Sequence, residues 1–318
     1  MTKRRGETVT TSMLHVVYRS YGGENAKSRP PFYSKLLALA SLLRALEEAD
    51  GAIEVLFIND GPVPIDRLEL MRSRGEVIQL PGVGLKRSYL SALALPRRRR
   101  WAAGDLVWFS EDDYLYLPTA FASLLQAAAA CPDYDYFTLY PLIGSRPPNL
   151  GPKPDSILVP RKWQDSEPVL AGGHPWRRAL SSTSTFGARV TALRQDGYVM
   201  PLCLAAASGS WDHTTALVYQ GFPPFPRRAV VEFLLAGAGG IRRRAKLAVA
   251  TPVRVALNLA ALRQRRMNRR LLAPDPPLAT HLESELLAFG WDWAQVAQNT
   301  TAWAATRGIY VGGRRSGE

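Results

Sequence analysis

The chain has 318 residues, 47% of them hydrophobic, which is enough for a sizeable core and excludes a protein disordered throughout. Its two cysteines, Cys131 and Cys203, lie far apart and lack metal-ligand spacing. This excludes a disulfide framework and a structural zinc site and suits buried thiols in a reducing compartment. The net charge of +13 is concentrated: residues 227–270 hold twelve Arg or Lys against the single acid Glu232, a net +11. Such a cluster calls for an anionic partner: nucleic acid, an acidic membrane surface or a phosphate-bearing substrate.

The first segment, "MTKRRGETVTTS", is basic but has no apolar stretch behind it, which argues against a secretory signal. No run reaches the roughly 18 to 20 uncharged apolar residues of a spanning helix. The expected location is the cytoplasm, with peripheral contact at the inner membrane face if the basic segment docks on acidic lipid.

"MLHVVYRS" (13–20) predicts a first strand, followed by a polar, Gly-containing loop. Phe32, Leu36, Leu39, Leu43 and Leu46 then recur at spacings of three and four, predicting a helix that closes near Asp50 and Gly51. "IEVLFINDG" predicts a strand ending at Asp60, "EVIQLPG" a short strand, "KRSYLSALAL" a helix and "DLVWFS" a third strong strand. "TAFASLLQAAAA" predicts a helix and "YDYFTLYP" a strand. Strands alternating with amphipathic helices predict an α/β fold, a mostly parallel Rossmann-like sheet with helices on both faces. Ligands of such sheets bind at the carboxyl ends of the strands, where Asp60 and the run Glu111, Asp112 and Asp113 fall.

The second half reads differently. Residues 141–178 are rich in Pro, Gly and charge and read as a long loop over the sheet edge. "ALSSTSTFGARV" reads as a strand and "GSWDHTTALVYQGF" as a helix from about Ser210 to Gly221. Gly237, Gly239, Gly240 and Pro252 argue against a single long helix in the basic segment, where apolar and cationic residues mix as in a membrane-surface helix. The expected division is a first part (1–140), a second part (141–226) and a basic helical extension (227–318).

Acids at two strand ends suggest a metal and nucleotide site, because carboxylates are hard ligands for Mg²⁺ or Mn²⁺ and the ion can bridge to phosphates. The plainer reading is a pair of strand-end turns whose acids cap the next helix. Taken in order, "VVYRSYGGENAKSRPPFYSK", "FINDG", "LKRSYLSALAL" and "DLVWFSEDDYLYLPTAF" resemble the nucleotide-sugar half of GT-A-type glycosyltransferases, especially family 2 and its relatives, over about residues 13–140. The resemblance implies that Asp60 reads the nucleotide base. It also implies that a DxD-type motif, here the departing form Glu111-Asp112-Asp113, holds a divalent ion on the donor diphosphate. Asp113 is then the leading metal ligand, and Glu111 and Asp112 contact sugar or ribose hydroxyls or metal-bound water.

"SWDHTTALVYQGF" is similar to that family's acceptor-side helix, with Asp212 at the position of the acid. Inverting transfer needs a base for the acceptor hydroxyl; Asp212 is the candidate and His213 the alternative. The resemblance extends to His281, late in the chain, as a further metal ligand. Arg19, Lys27, Arg29, Lys86 and Arg87 lie at the expected carboxyl edge, where cations would stabilise a leaving diphosphate. The function implied is transfer of a sugar from a UDP- or GDP-linked donor to an acceptor hydroxyl, lipid-linked or anionic, as in glycan or cell-envelope synthesis. The rivals are a nucleotidyltransferase, for which "RSYGGENAKSRP" is only a faint phosphate loop, and a nucleic-acid-binding protein, whose basic segment lacks interleaved aromatics.

Overall fold

The computed structural model describes residues 13–141, 159–160, 163–206, 211–226 and 241–311, with backbone alone for 206 and 241–250. The first half alternates: β1 (Leu14–Ser20), α1 (Lys35–Glu47), β2 (Ile53–Asp60), α2 (Ile65–Arg72), β3 (Glu76–Leu80), α3 (Leu85–Leu93), the short α4 (Leu95–Arg98), β4 (Leu106–Glu111), β5 (Tyr114–Tyr116) and α5 (Ala120–Ala130), with α2, α4 and β5 added to the elements its periodicity predicts. There follow β6 (Tyr136–Phe137), β7 (Val169–Ala171), β8 (His174–Ala179), β9 (Phe186–Arg189), α6 (Val190–Gln195), α7 (Val199–Ala206) and α8 (Trp211–Tyr219). The chain ends with α9 (Ile241–Gln264), β10 (Leu271–Pro274), β11 (Ala279–His281) and α10 (Trp293–Ala305). Helix α1 begins where the Ser34 side chain accepts from the Leu37 N–H, at 3.0 Å, supplying a partner for one of the first-turn donors.

One nine-stranded sheet runs in the order β3-β2-β1-β4-β9-β6-β10-β8-β7. The first four strands are mutually parallel, and only β8 and β9 run against the remaining seven. Side chains alternate across the sheet. Leu14, Val16, Tyr18, Phe57 and Trp108 pack with α1, α5 and α10 on one face; Val17, Leu56, Ile58, Val107 and Phe109 pack with α3, α7, α8 and α9 on the other. The α/β expectation, helices on both faces included, therefore holds.

Three expectations change. The stretch read as a loop up to residue 178 contains a hairpin: β7 and β8 pair antiparallel about Gly172 and Gly173, both at positive φ. Within the basic segment, Ile241–Gln264 form one continuous 24-residue helix, α9, through Pro252. The interrupting glycines precede its start, and the loss of one backbone hydrogen bond at Pro252 is offset by burial of Leu257, Ala260 and Ala261. Residues 227–240, where that segment begins, lie outside the described residues. Finally, β10 sits inside the sheet between β6 and β8, so the chain beyond residue 270 is not an appendage.

A buried ion network fastens this returning strand. Arg269, just before β10, donates from Nε to Asp196 Oδ2 at 3.0 Å and from Nη1 to Asp135 at 2.9 Å, while Tyr136 and Gln264 also donate to Asp196. Asp196 is 1% exposed and Arg269 7%. Removing one partner of a buried pair leaves the other uncompensated. Asp196→Ala is therefore expected to lower unfolding stability by about 3–5 kcal/mol, read as a fall in the urea midpoint with an unchanged slope.

Candidate active site

Strands β1, β2 and β4 end side by side at Ser20, Asp60 and Glu111, and a cavity of about 400 Å³ opens between them. Arg19, Lys27, Asp60, Glu111, Asp112 and Asp113 contribute to its wall. This is the carboxyl edge of the parallel half of the sheet, where loops can carry polar groups without disturbing the core.

The three consecutive carboxylates at the end of β4 are separated by the cations they face. Glu111 is ion-paired with Arg19 of β1 and accepts from the Ser184 hydroxyl at 2.7 Å. Asp112 turns inward: its Oδ2 lies 2.9 Å from Lys35 Nζ and accepts from the Ser20 hydroxyl at 2.9 Å and the Tyr21 N–H at 3.1 Å, with Arg67 at 4.0 Å. Asp113 Oδ2 accepts from both terminal nitrogens of Arg29, at 3.2 and 3.3 Å. Asp112 reaches the cavity wall, where contact with sugar or ribose hydroxyls is expected, yet its Oδ2 is engaged by these protein partners. Its carboxylate is held by Lys35 and the start of the post-β1 loop, because two buried cations require a buried anion.

Asp113 and His281 meet across the small β5–β11 ladder, in which His281 stands opposite Tyr114 and the Leu282 N–H donates to the Asp113 carbonyl at 2.8 Å. His281 Nε2 is 3.1 Å from Asp113 Oδ2. Burial pushes the Asp113 carboxyl up, but the hydrogen bond and charge of His281, with Lys27 and Arg29, outweigh it and hold the group well below the usual carboxylate range. The Lys27 ammonium lies 3.2 Å from Nε2 and 3.5 Å from Oδ2, so this oxygen and nitrogen already clasp a cation. Glu283 stands 3.6 Å from the other ring nitrogen. Among the described residues no group of three or more His, Cys, Asp or Glu could hold a metal alone. A carboxylate and an imidazole do fit a divalent ion whose remaining ligands are phosphate oxygens and water.

Beside this cleft, Asp212 opens α8 among Tyr89, Thr183, Trp211 and Thr215. Its Oδ1 is buried and has no hydrogen-bond partner among the described residues. Burial first, then the charge of Glu111, push its carboxyl up to about 8, against the opposing effect of Arg19 and a backbone hydrogen bond at Ser184. A carboxyl so placed titrates near neutrality, as a general base requires.

The structure thus brings together Arg19, Lys27, Arg29, Glu111, Asp113, Asp212 and His281. Asp60 lines the cleft, but its two oxygens accept from the Val83 and Gly84 N–H groups, at 2.6 and 2.8 Å, and so fix the turn into α3. Lys86 and Arg87 are exposed on α3 and line no part of the cavity, because that face of the helix points to solvent. His213 is buried and lines neither the cleft nor the hollow around Asp212. Sequence reasoning missed Tyr21, Asn25 and Ser88 in the cleft wall, and Lys35 and Arg67 behind it. The available signal for Lys35 was a lysine opening an otherwise apolar helix face. Gly22, in the loop after β1, lies so close to the loop after β2 that a Cβ would meet the Pro62 carbonyl oxygen at 2.0 Å.

Fold and site define a Rossmann-like α/β chain with a charged cleft at its carboxyl edge. No family model and no curated protein matches the sequence. Among solved structures it is similar to S. aureus TarS 1-349, at 15% identity and a TM-score of 0.39, over 79% of this chain and 73% of that one. The same protein in complex with UDP-GlcNAc gives 16% identity and 0.37, over 79% and 74%. A CMP:2-keto-3-deoxy-manno-octonic acid synthetase complexed with CTP gives 15% and 0.36, over 65% and 83%.

The inward role of Asp112 makes a specific expectation. Asp112→Ala should cost about 3–5 kcal/mol of unfolding stability, since Lys35 and Arg67 are left buried and unpaired. Chemical denaturation measures this; an unchanged midpoint with a raised donor KM would return Asp112 to ligand contact.

Proposed function

We propose that this protein is a nucleotide-sugar-dependent glycosyltransferase that moves a sugar from a UDP- or GDP-linked donor to an acceptor hydroxyl with inversion at the anomeric carbon. The observation that carries this reading is Asp212, a buried carboxylate with an uncommitted oxygen, placed beside a cleft whose cations suit a diphosphate. The cleft alone would serve any nucleotide enzyme. A separate base facing the reacting centre is what attack by an acceptor hydroxyl needs.

In this reading Arg19 and Lys27 hold the diphosphate, and Arg29 fixes Asp113 in place. The acceptor oxygen attacks the anomeric carbon while Asp212 takes its proton, and the bond to the diphosphate breaks with its electron pair leaving on the phosphate oxygen. The arginine and lysine charges stabilise that departure. Asp113 and His281 would hold a divalent ion, Mn²⁺ or Mg²⁺, which when bound adds Lewis-acid neutralisation of the leaving group. Ser184 links the two sites, with its hydroxyl on Glu111 and its backbone on Asp212.

Incubation with UDP- and GDP-sugars and Mn²⁺ is expected to release a nucleoside diphosphate. Pyrophosphate release from a nucleoside triphosphate would instead establish nucleotidyl transfer, and the absence of binding by any nucleotide sugar would end the reading. Asp113→Ala should abolish metal-dependent nucleotide binding measured by calorimetry; unchanged affinity would reject the ligand assignment.

Asp212→Asn should bind donor normally and lose turnover on the order of 10²-fold or more. For the wild type, kcat should rise with pH about a midpoint near 8, where Asp212 is half ionised, and level off only above it. The linkage has a definite sign. Because folding raises this pKa, the native state holds the proton more tightly than the unfolded chain, and the group's contribution to stability falls as pH rises from its ordinary range through about 8. The Asn variant should therefore melt higher than wild type at pH 8 and above, by several degrees in a thermal scan; an equal or lower melting point would contradict the burial of that charge.

A further inference from the structure

A second cavity, of about 1070 Å³, lies far from the candidate cleft and plays no part in the reaction proposed above. Its walls carry Arg97, Arg98 and Arg100 on one side and Arg194 and Tyr198 on the other, over an apolar floor that includes Leu93 and Leu193. Topology places it at the opposite edge of the sheet. Arg194 donates to the Pro96 and Trp101 carbonyls, Thr191 N–H to Ala103 and Val190 N–H to Asp105, all in the connection that leads into the first residue of β4. The cleft, by contrast, lies where β4 ends.

The charge here is one-sided. Arg97, Arg98 and Arg100 are exposed and make no ion pair among the described residues, whereas Arg99, in the same run, turns aside to Glu76. Among the described residues no acid lines the cavity. Helix α9 extends the surface: the Arg263 guanidinium lies 5.4 Å from the centre of the Tyr198 ring, and Gln264 donates to the Tyr198 hydroxyl at 3.3 Å. On the same helical face Leu259 is 60% exposed and Leu262 44%, with Met267 at 41% just beyond. Large aliphatic side chains standing in solvent beside unpaired arginines mark an interaction surface.

We infer that this edge docks on an anionic bilayer, with the guanidinium groups on lipid phosphates and Leu259, Leu262 and Met267 entering the headgroup boundary. Basic residues beside protruding apolar ones suit that interface, where both kinds of side chain gain. A soluble polyanion would satisfy the arginines and leave the leucines wet, and a single tyrosine gives no stacking ladder for nucleic acid. No helix among the described residues is long and apolar enough to cross a membrane, so the contact is peripheral.

The test is sedimentation of the full chain with vesicles of pure phosphatidylcholine, with vesicles of equal parts phosphatidylcholine and phosphatidylglycerol, and with a duplex oligonucleotide as competitor. The protein should pellet with the anionic vesicles only. Replacing Arg97, Arg98 and Arg100 together by Gln should weaken that binding on the order of 100-fold, at about one kcal/mol of surface attraction per arginine. Leu259→Asp with Leu262→Asp should abolish it at unchanged net arginine count, while nucleotide binding confirms that both variants fold. Equal binding to neutral vesicles, anionic binding untouched by either variant, or full displacement by the oligonucleotide with the leucine variant still bound would overturn the proposal.

Discussion

Three carboxylates in succession at a strand end repel one another, and the architecture around β4 follows from how that repulsion is offset. Each acid meets a different cation: Glu111 meets Arg19 from the neighbouring strand, Asp112 meets Lys35 from α1 with Arg67 of α2 behind it, and Asp113 meets Arg29 and Lys27 from the post-β1 loop. Buried ions are tolerated only with partners in good geometry, so these pairings determine how α1, α2 and the loop must sit against the sheet. The ordering of the cleft is therefore built into the folded chain. Protein cations already face each of the three acids, and under the proposed function a divalent ion would be held by Asp113 with His281.

Charge also separates two carboxylates of like chemistry. Asp113 is surrounded by cations and stays ionised, whereas Asp212 sits in a mostly apolar hollow with Glu111 nearby and is pushed toward protonation. One is suited to hold positive charge and the other to accept a proton. Divergent environments around otherwise similar side chains are how one site supports both tasks at neutral pH. Ser184 joins Glu111 and Asp212, its hydroxyl on the first and its backbone on the second.

Much of this was legible in the sequence. The strands β1, β2 and β4 announce themselves by short apolar runs, and α1 and α5 by spacings of three and four, because each buries one face or stripe against the sheet. Acids at the ends of those strands pointed to the cleft. What the sequence could not show was pairing over long separations. Lys35 and Arg67 look like ordinary helix charges until the fold sets them behind Asp112. The resemblance singled out His281, but its place beside Asp113 depends on β11 pairing with β5, which local periodicity does not encode. Lys86 and Arg87 looked suitable from their position at a helix start, but their side chains lie on the turn's solvent face. Pro252 misled because a single lost backbone hydrogen bond weighs less than the apolar stripe of α9 packed in the core.

The crowding at Gly22 makes the mouth of the cleft a seam between two loops that approach as closely as bare backbone allows. One loop carries Asn25 and Lys27, and the other follows Asp60. A methyl group at position 22 would act as a wedge, prising the lysine-bearing flap from the rim and spoiling registration between its ammonium and the acid–imidazole pair. The tolerance of the whole arrangement is thus set by a residue that contributes no functional group.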